Sequence, residues 1–355
     1  MNKYFKEKLD QLIGIGDDKT ITIQIDKYPQ YLYKYRDCNS PYNFDMIESQ
    51  YLWADIPQHF YDPADSLVHL KLLSELPEIQ KWLYNHLGEL IYYNIPPKGM
   101  KKSKNGQTLE KYVDAQKHFL NESGKYDAEK ARKIMLIETK KLPKKMQQEV
   151  RKAYNHMESE KFEEKIKEVI TNVMTKVVNT LRDNVLICCL TERNDNHKMW
   201  EDYANQYSGF AVEYDLSKYD NSEDMTQTIA RLFPVKYYKR FPKVSWLPFI
   251  EEEFYRVFYK KETNIDDNKR CLYNQLFVKK IEYKGEEEWR IVANKNKISF
   301  PIISAIYMGY KISANDEAQL TILCKKQNLS LHKQQKNPIT GELCFKQILK
   351  EGVPV

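Results

Sequence analysis

Two glutamates one residue apart, Glu286 and Glu288 in the run Glu286-Glu287-Glu288-Trp289-Arg290-Ile291-Val292, are the plainest chemical signal in the chain. Entering a strand, they project to one side while Glu287 points away. Carboxylates that share a face repel, so one can be held partly protonated, or the pair can stabilise a developing cation. A solvated acidic strand entry is the ordinary alternative. Arg36 closes the segment Tyr33-Lys34-Tyr35-Arg36, where a guanidinium at a strand end can fork onto a phosphate or carboxylate, or make a structural ion pair. Met199-Trp200-Glu201-Asp202-Tyr203-Ala204 sets Trp200 and Tyr203 on one helix face, as core or as walls for a planar ring. In Phe60-Tyr61-Asp62-Pro63-Ala64-Asp65 the two aspartates could orient a partner or bind a cation, although Asp before Pro also starts ordinary turns.

Hydropathy patterning supplies the elements that must position these residues. Strands are expected at Thr20–Asp26 and at Tyr31–Arg36, the latter with Tyr31, Tyr33 and Tyr35 on one face and Leu32, Lys34 and Arg36 on the other. A turn at Asn39-Ser40-Pro41, a strand at Gln50–Asp55 and a loop at Ile56–Asp65 follow. From about Leu76 to Arg182 the texture becomes helical and rich in Lys and Glu, over Ile79–Tyr93, Leu109–Leu120, Ala128–Lys141 and Gln147–Leu181. There Lys98, Lys101, Lys102 and Lys104 form a basic loop, either solvated or touching an anionic partner. Strands return at Val185–Leu190, Phe210–Asp215, Val235–Tyr238, Glu288–Ala293, Ser304–Met308 and Cys344–Leu349. Helices fall at Lys198–Asn205, Pro248–Lys261 and Lys269–Val278, and another starts near the cap Ser313. The expectation is an α+β protein with a mixed β core: residues 1–75 and 185–355 build the core, and residues 76–184 interrupt it as a long helical insertion.

Only 11 glycines occur in 355 residues, under half the usual share of about 7%. Their positions allow no G-x-G-x-x-G and no GxxxxGK[ST], which excludes a Rossmann crevice and a P-loop. H-E-x-x-H, C-x-x-C and G-x-S-x-G are absent too. A nucleotide must therefore be held by side chains rather than by a glycine cradle. The net charge of +6, from 56 basic and 50 acidic residues, permits acidic partners without marking a nucleic-acid binder. The six cysteines show no metal spacing and read as reduced thiols, and no segment reads as a signal peptide or membrane span, so a cytoplasmic protein without membrane partners is expected.

The order of these motifs carries more than any of them singly. YKYR, a strand, F-x-D-P-x-D, a CLTE strand end, MW-x-x-YA, GFAVEYD and finally Y-x-x-E-x-EWRI resembles a large bacterial family of unknown function. Its members read YKYR, FNDPFD, W-x-x-Y and W-x-x-E-x-EWR, and the resemblance spans roughly residues 31–312 outside the insertion. That family is distantly similar to the ADP-ribosyltransferase fold, whose split, mixed β core binds NAD without a Rossmann loop. The resemblance implies NAD as a substrate, with Arg36 steering its phosphates, Glu288 as the catalytic carboxylate and Glu286 activating the acceptor nucleophile. It also implies stacking on nicotinamide or adenine by Tyr35, Trp200 or Tyr203, with no metal. The activity implied is transfer of ADP-ribose to a protein or nucleic-acid target, in bacterial defence or as a toxin. The helical insertion would serve target binding or oligomerisation. Asp55 and Ile56 stand where the family has Ser-Ser, Tyr61 replaces Asn, Ala64 replaces Phe and Tyr283 replaces Trp. An Asp55 close to Glu288 would raise a carboxylate pKa. A Mg²⁺-dependent nuclease built on Asp62, Asp65, Glu286 and Glu288, or a non-catalytic nucleic-acid-binding or scaffold protein, is the alternative.

Overall fold

The computed structural model of the chain describes residues 2–14, 22–60, 143–157, 183–252, 266–337 and 339–355, with scattered positions between 75 and 182. It divides into two compact units, Met1–His69 with Val178–Pro242 and Lys269–Val355, and Leu70–Val177 with Lys243–Asn268.

The first unit is mixed α+β. Its strands are β1 (Tyr31–Arg36), β2 (Tyr51–Trp53), β3 (Leu186–Thr191), β4 (Phe210–Asp215), β5 (Leu232–Pro234), β6 (Lys236–Tyr238), β7 (Val278–Lys280), β8 (Glu288–Ala293), β9 (Lys297–Ser299), β10 (Ile303–Met308), β11 (Ser330–Lys336), β12 (Leu343–Lys350) and β13 (Val353–Pro354). Among the described residues, nine of them form one sheet in the order β13-β12-β11-β10-β4-β1-β3-β8-β5. All its pairings are antiparallel except β10–β11. Antiparallel β2–β9 and parallel β6–β7 are separate two-stranded ribbons. The helices of this unit are α1 (Lys3–Leu12), α2 (Pro41–Glu48), then, with α3 (Lys144–Met157) belonging to the second unit, α4 (His197–Asp202), α5 (Glu223–Ala230), α6 (Asp266–Asn274, inside this unit from residue 269) and α7 (Ala314–Gln327).

One pairing in the large sheet differs from its neighbours. β1 runs beside β4 over six residue pairs, Tyr31↔Asp215 to Arg36↔Phe210. It meets β3 at a single pair, Tyr33↔Thr191. Beyond that point the two strands part, and Asp55 takes the free edge of β3 through paired backbone bonds with Ile187 of 2.9 and 3.1 Å. The sheet is therefore split at its centre.

The main core fills one side with Leu32, Val212, Tyr214, Ile291, Ile306 and Leu331 among others. A smaller aromatic cluster of Tyr33, Tyr35, Trp200, Ala204, Tyr207 and Ala211 packs separately. It depends on an unusual turn after α4: Asn205, Gln206 and Tyr207 are all left-handed, with φ of 45°, 57° and 69°, at a cost of about 1–2 kcal/mol each. The turn is held by Tyr207 N–H on Trp200 O (3.1 Å), Gly209 N–H on Ala204 O (2.8 Å) and Lys311 N–H on Tyr207 O (3.0 Å). The rings of Trp200 and Tyr207 stack at 6.3 Å and 7°. Two glycines permit the close approaches: a Cβ on Gly209 would lie 2.1 Å from Arg36 O, and one on Gly309 would lie 2.1 Å from Tyr207 O.

In the second unit, α3 (Lys144–Met157) begins three residues before the helix expected at Gln147–Leu181 and overlaps its first part. There the Trp246 N–H donates to the Glu75 carboxylate at 2.9 Å, and the Trp246 and Phe249 rings lie 5.6 Å apart.

The strand expected at Thr20–Asp26 does not form over the described residues 22–26; Ile25–Lys27 is a 3-10 turn. Its backbone is satisfied locally, Lys27 N–H on Gln24 O and Gln24 N–H on the Tyr4 hydroxyl. The turn at Asn39-Ser40-Pro41 instead opens α2, with Pro41 in its first turn, where a missing N–H costs nothing. Lys269–Val278 is helical only to Asn274, then a 3-10 turn, then β7. β5, β9, β11 and β13 were not expected; β11, SLHKQQK, is too polar to announce itself. Ser313 caps α7, its Oγ accepting from Asp316 N–H at 3.1 Å.

Gly209→Ala is expected to destabilise the protein by about 1–3 kcal/mol in denaturant titration. Gly285→Ala, whose added Cβ would find its nearest neighbour at 3.9 Å, should stay within about 0.5 kcal/mol. Equal effects would show that the approach of Gly209 to Arg36 is not tight.

Candidate functional site

A cavity of about 410 Å³ opens where β1 and β3 part, within the size range of small-molecule sites. β1 contributes Tyr33, Lys34, Tyr35 and Arg36; β3 contributes Ile187, Cys189, Leu190 and Thr191. Trp53, Asp55, His59, Phe60, Met199 and Tyr203 line it further, and Lys279, Glu286 and Glu288 complete it.

The carboxylates reach it in an unexpected way. Glu286 is the last residue of a 3-10 segment, Ile281–Glu286, rather than part of a strand. Glu287 turns left-handed at φ 45°, ψ 53°, and Glu288 opens β8. Both carboxylates then close on one ammonium: Lys279 Nζ donates to Glu286 Oε2 at 2.6 Å and Glu288 Oε2 at 2.9 Å. On the other side, Arg290 Nε donates to Glu288 Oε1 at 2.7 Å and its Nη1 to Leu276 O at 2.7 Å. All four side chains are buried. The small parallel ribbon sets the geometry, since Tyr237 of β6 is in register with Lys279 of β7. The Tyr237 hydroxyl accepts Glu288 N–H at 2.8 Å.

This corrects the electrostatics expected from the sequence. Burial works against the charge of Glu288, but the Arg290 guanidinium and Lys279 ammonium outweigh it and hold the carboxyl far below the usual range. Asp55 lines the same cavity without reversing that; its carboxylate engages its own following N–H and His59 Nδ1 at 3.0 Å. Arg290 was readable, being two residues after Glu288 and thus on the same strand face. Lys279 was not, because nothing local ties it to Glu288.

Arg36 lines the cavity, and its Nε is buried without a hydrogen-bond partner among the described residues. An anion supplies what such a group lacks. Tyr203, still partly exposed, also lines the cavity, and burial raises its pKa. Tyr35 contributes to the wall while its hydroxyl donates to Arg193 O at 2.9 Å.

Trp200 is not a wall. It is 0% exposed, edge-on to Tyr35 at 5.1 Å, and its Nε1 donates to Asn194 O at 2.7 Å, so it holds the aromatic cluster together. Trp289 similarly ties the CLTE strand end, its Nε1 donating to Glu192 Oε1 at 2.7 Å. Of the expected site residues, the fold thus gathers Arg36, Tyr35, Tyr203, Glu286 and Glu288 and leaves Trp200 in the core.

Asp62, Asp65, Lys98, Lys101, Lys102 and Lys104 lie outside the described residues. Among the described residues no group of three or more His, Cys, Asp or Glu side chains is placed to hold a metal ion. The space between Glu286 and Glu288, where the nuclease reading needs Mg²⁺, is taken by the Lys279 ammonium. All six cysteines are free thiols. Among the described residues no helix is long and apolar enough to cross a membrane.

Fold and site together define a mixed α+β protein with a charged, ligand-sized cavity at a split in its sheet. Residues 199–291 match a family described as a protein of unknown function, DUF2971. That segment carries Tyr203, Lys279, Glu286, Glu288 and Arg290, whereas Lys34 and Arg36 precede it. No curated protein and no solved structure matches the chain.

Glu288→Gln is expected to cost about 3–5 kcal/mol at neutral pH, the usual penalty for breaking a buried ion pair from one side. Because the folded pKa is depressed below the ordinary 4.5, this contribution is full above about pH 5 and fades as pH falls below it. The stability gap between wild type and variant should therefore narrow in acid, read by denaturant titrations from about pH 7 to pH 3. A gap that does not change with pH would contradict the ion-paired arrangement.

Proposed function

We propose that the cavity binds NAD and that the protein transfers ADP-ribose to a macromolecular acceptor. One observation carries this reading: Arg36, with its buried unpartnered Nε, lines the same cavity as Glu286 and Glu288, at the point where the sheet splits. A split, mixed β core with an early-strand arginine and a glutamate opening a later strand is the arrangement the resemblance calls for. An ADP-ribosyltransferase-type core is part of this proposal.

The residues present suit the substrate. Arg36 would hold the diphosphate in place of glycine-loop amides. Tyr203 or Tyr35 would pack against a planar ring. Cleavage of the nicotinamide–ribose bond develops positive charge on the ribose, and a fixed anion beside it stabilises that charge. Glu288 is kept anionic by its two cations. A carboxylate offers about four lone-pair sites, and Glu288 spends one on Lys279 and one on Arg290, so it retains capacity for a ribose hydroxyl. Glu286 would orient or deprotonate the acceptor nucleophile. Recognition of the acceptor is assigned to residues 76–184, which the resemblance does not cover, and a role in defence or toxicity follows from the resemblance alone.

Incubation with NAD labelled in its adenylate part and cell lysate is expected to label a protein or nucleic acid and release nicotinamide. Arg36→Gln, which removes an Nε without a hydrogen-bond partner among the described residues, should weaken NAD binding at least about tenfold, consistent with loss of a charge-assisted contact, while leaving thermal stability unchanged. Glu288→Gln should abolish transfer in the fraction that remains folded. Nicotinamide release without a labelled acceptor would identify NAD hydrolysis instead, and no heat of NAD binding in calorimetry would overturn the reading.

A further inference from the structure

The NAD reading leaves one cation of the cavity unused. Lys34 shares a face of β1 with Arg36, and both line the cavity. Its Nζ makes a hydrogen bond to Cys189 O at 2.5 Å. The carboxylates around it are already occupied, Glu286 and Glu288 by Lys279 and Arg290, Asp55 by His59. The groups facing it are therefore Arg36 on its own strand, Cys188 and Cys189 on β3, and the ion-paired Glu288 on β8. Burial lowers the pKa of Lys34; Arg36 adds to the lowering, and Cys188, Cys189 and Glu288 only partly oppose it. An amine desolvated beside another cation is the setting in which lysine becomes a nucleophile.

Lys279 makes the contrast within the same cavity. Its ammonium touches two carboxylates, an arrangement that favours the charged, unreactive form. One lysine is thus held as a counter-ion while the other has no carboxylate in contact among the described residues.

We propose that Lys34 is a nucleophilic amine that captures anionic aldehydes or ketones as an imine, the anionic group of the ligand being seated on Arg36. The neutral amine forms a bond from Nζ to the carbonyl carbon, and the C=O double bond opens to a carbinolamine. The carbinolamine oxygen then departs as water with both amine hydrogens, leaving a C=N bond; no oxidant or reductant takes part. The inference stands apart from the NAD reading, since it needs only Lys34, Arg36 and the cavity.

Pyridoxal 5′-phosphate, an aldehyde with a phosphate, is a suitable probe. The full chain is incubated with it at about pH 7.5, imines are trapped with cyanoborohydride, and modified lysines are mapped by peptide mass spectrometry. Each unit by which the pKa is lowered raises the reactive neutral fraction about tenfold. With its neutral form favoured by burial and the phosphate held on the neighbouring Arg36, Lys34 is expected to label several-fold faster than the exposed Lys284 and Lys325, with Lys279 unlabelled. Pyridoxal, lacking the phosphate, should lose most of that preference, as should Arg36→Gln with the phosphorylated probe. Labelling of Lys34 no faster than Lys284, or equal labelling of Lys34 and Lys279, would overturn the proposal, and both outcomes are read on the wild-type chain without a variant that must fold.

Discussion

A single ammonium, Lys279 Nζ, lies 2.6 and 2.9 Å from two buried carboxylates, and the architecture of the site follows from the need to put it there. Two glutamates one residue apart cannot both be charged and buried without counter-ions; the effective penalty is several kcal/mol per ion. The chain meets this with two cations from different sources. Arg290 comes from the same strand as Glu288, and Lys279 arrives from a ribbon outside the main sheet. Glu287 accepts a left-handed backbone so that Glu286 can reach the ammonium. Tyr237 closes the arrangement by accepting the Glu288 amide. The result is a floor of paired groups for a cavity in which Lys34 and Arg36 have no carboxylate partner among the described residues.

The cavity exists because the central sheet is not continuous. β1 and β3 share one residue pair and then separate, and the separation is maintained from both sides. Asp55 bonds to the freed edge of β3, while Gly209 lets the turn after α4 press against Arg36 O. The three left-handed residues of that turn store strain that is offset by the Trp200–Tyr207 stack and by backbone bonds to Trp200, Ala204 and Lys311. The scarcity of glycine thus takes on a positive meaning. Gly209 and Gly309 serve the close packing of backbones, and none is spared for a phosphate-binding loop.

Much of the fold was legible because burial imposes a period. Tyr31–Arg36, Phe210–Asp215 and Glu288–Ala293 appear with the bounds that their alternation or apolar runs mark out. The misreadings have identifiable causes. Thr20–Asp26 has β-branched residues at the right spacing, yet in its described part Gln24 bonds to a 3-10 turn through its carbonyl and to the Tyr4 hydroxyl of α1 through its N–H rather than to a ladder. Asn39-Ser40-Pro41 carries turn residues that serve equally well to start a helix. Trp200 and Tyr203 sit three apart on one helical turn, but α4 ends at Asp202, so one ring enters the core and the other the cavity wall.

By itself the sequence determined what is local: the strands with a clear period, such as Tyr31–Arg36, Phe210–Asp215 and Glu288–Ala293, the absence of any G-x-G-x-x-G or GxxxxGK[ST] run, and Glu286, Glu288 and Arg36 as candidate groups. Only the tertiary structure decided their state. Spacing along the chain makes two neighbouring glutamates look like a repelling pair whose protons are shared, whereas folding delivers Lys279 between them and, with Arg290, holds Glu288 charged. Likewise Arg36 reads as a candidate anion fork and Lys34 as no more than its neighbour until the parting of β1 from β3 leaves both facing one cavity. Charge state depends on distance through space, and that distance is set by strand pairing between segments far apart in the chain.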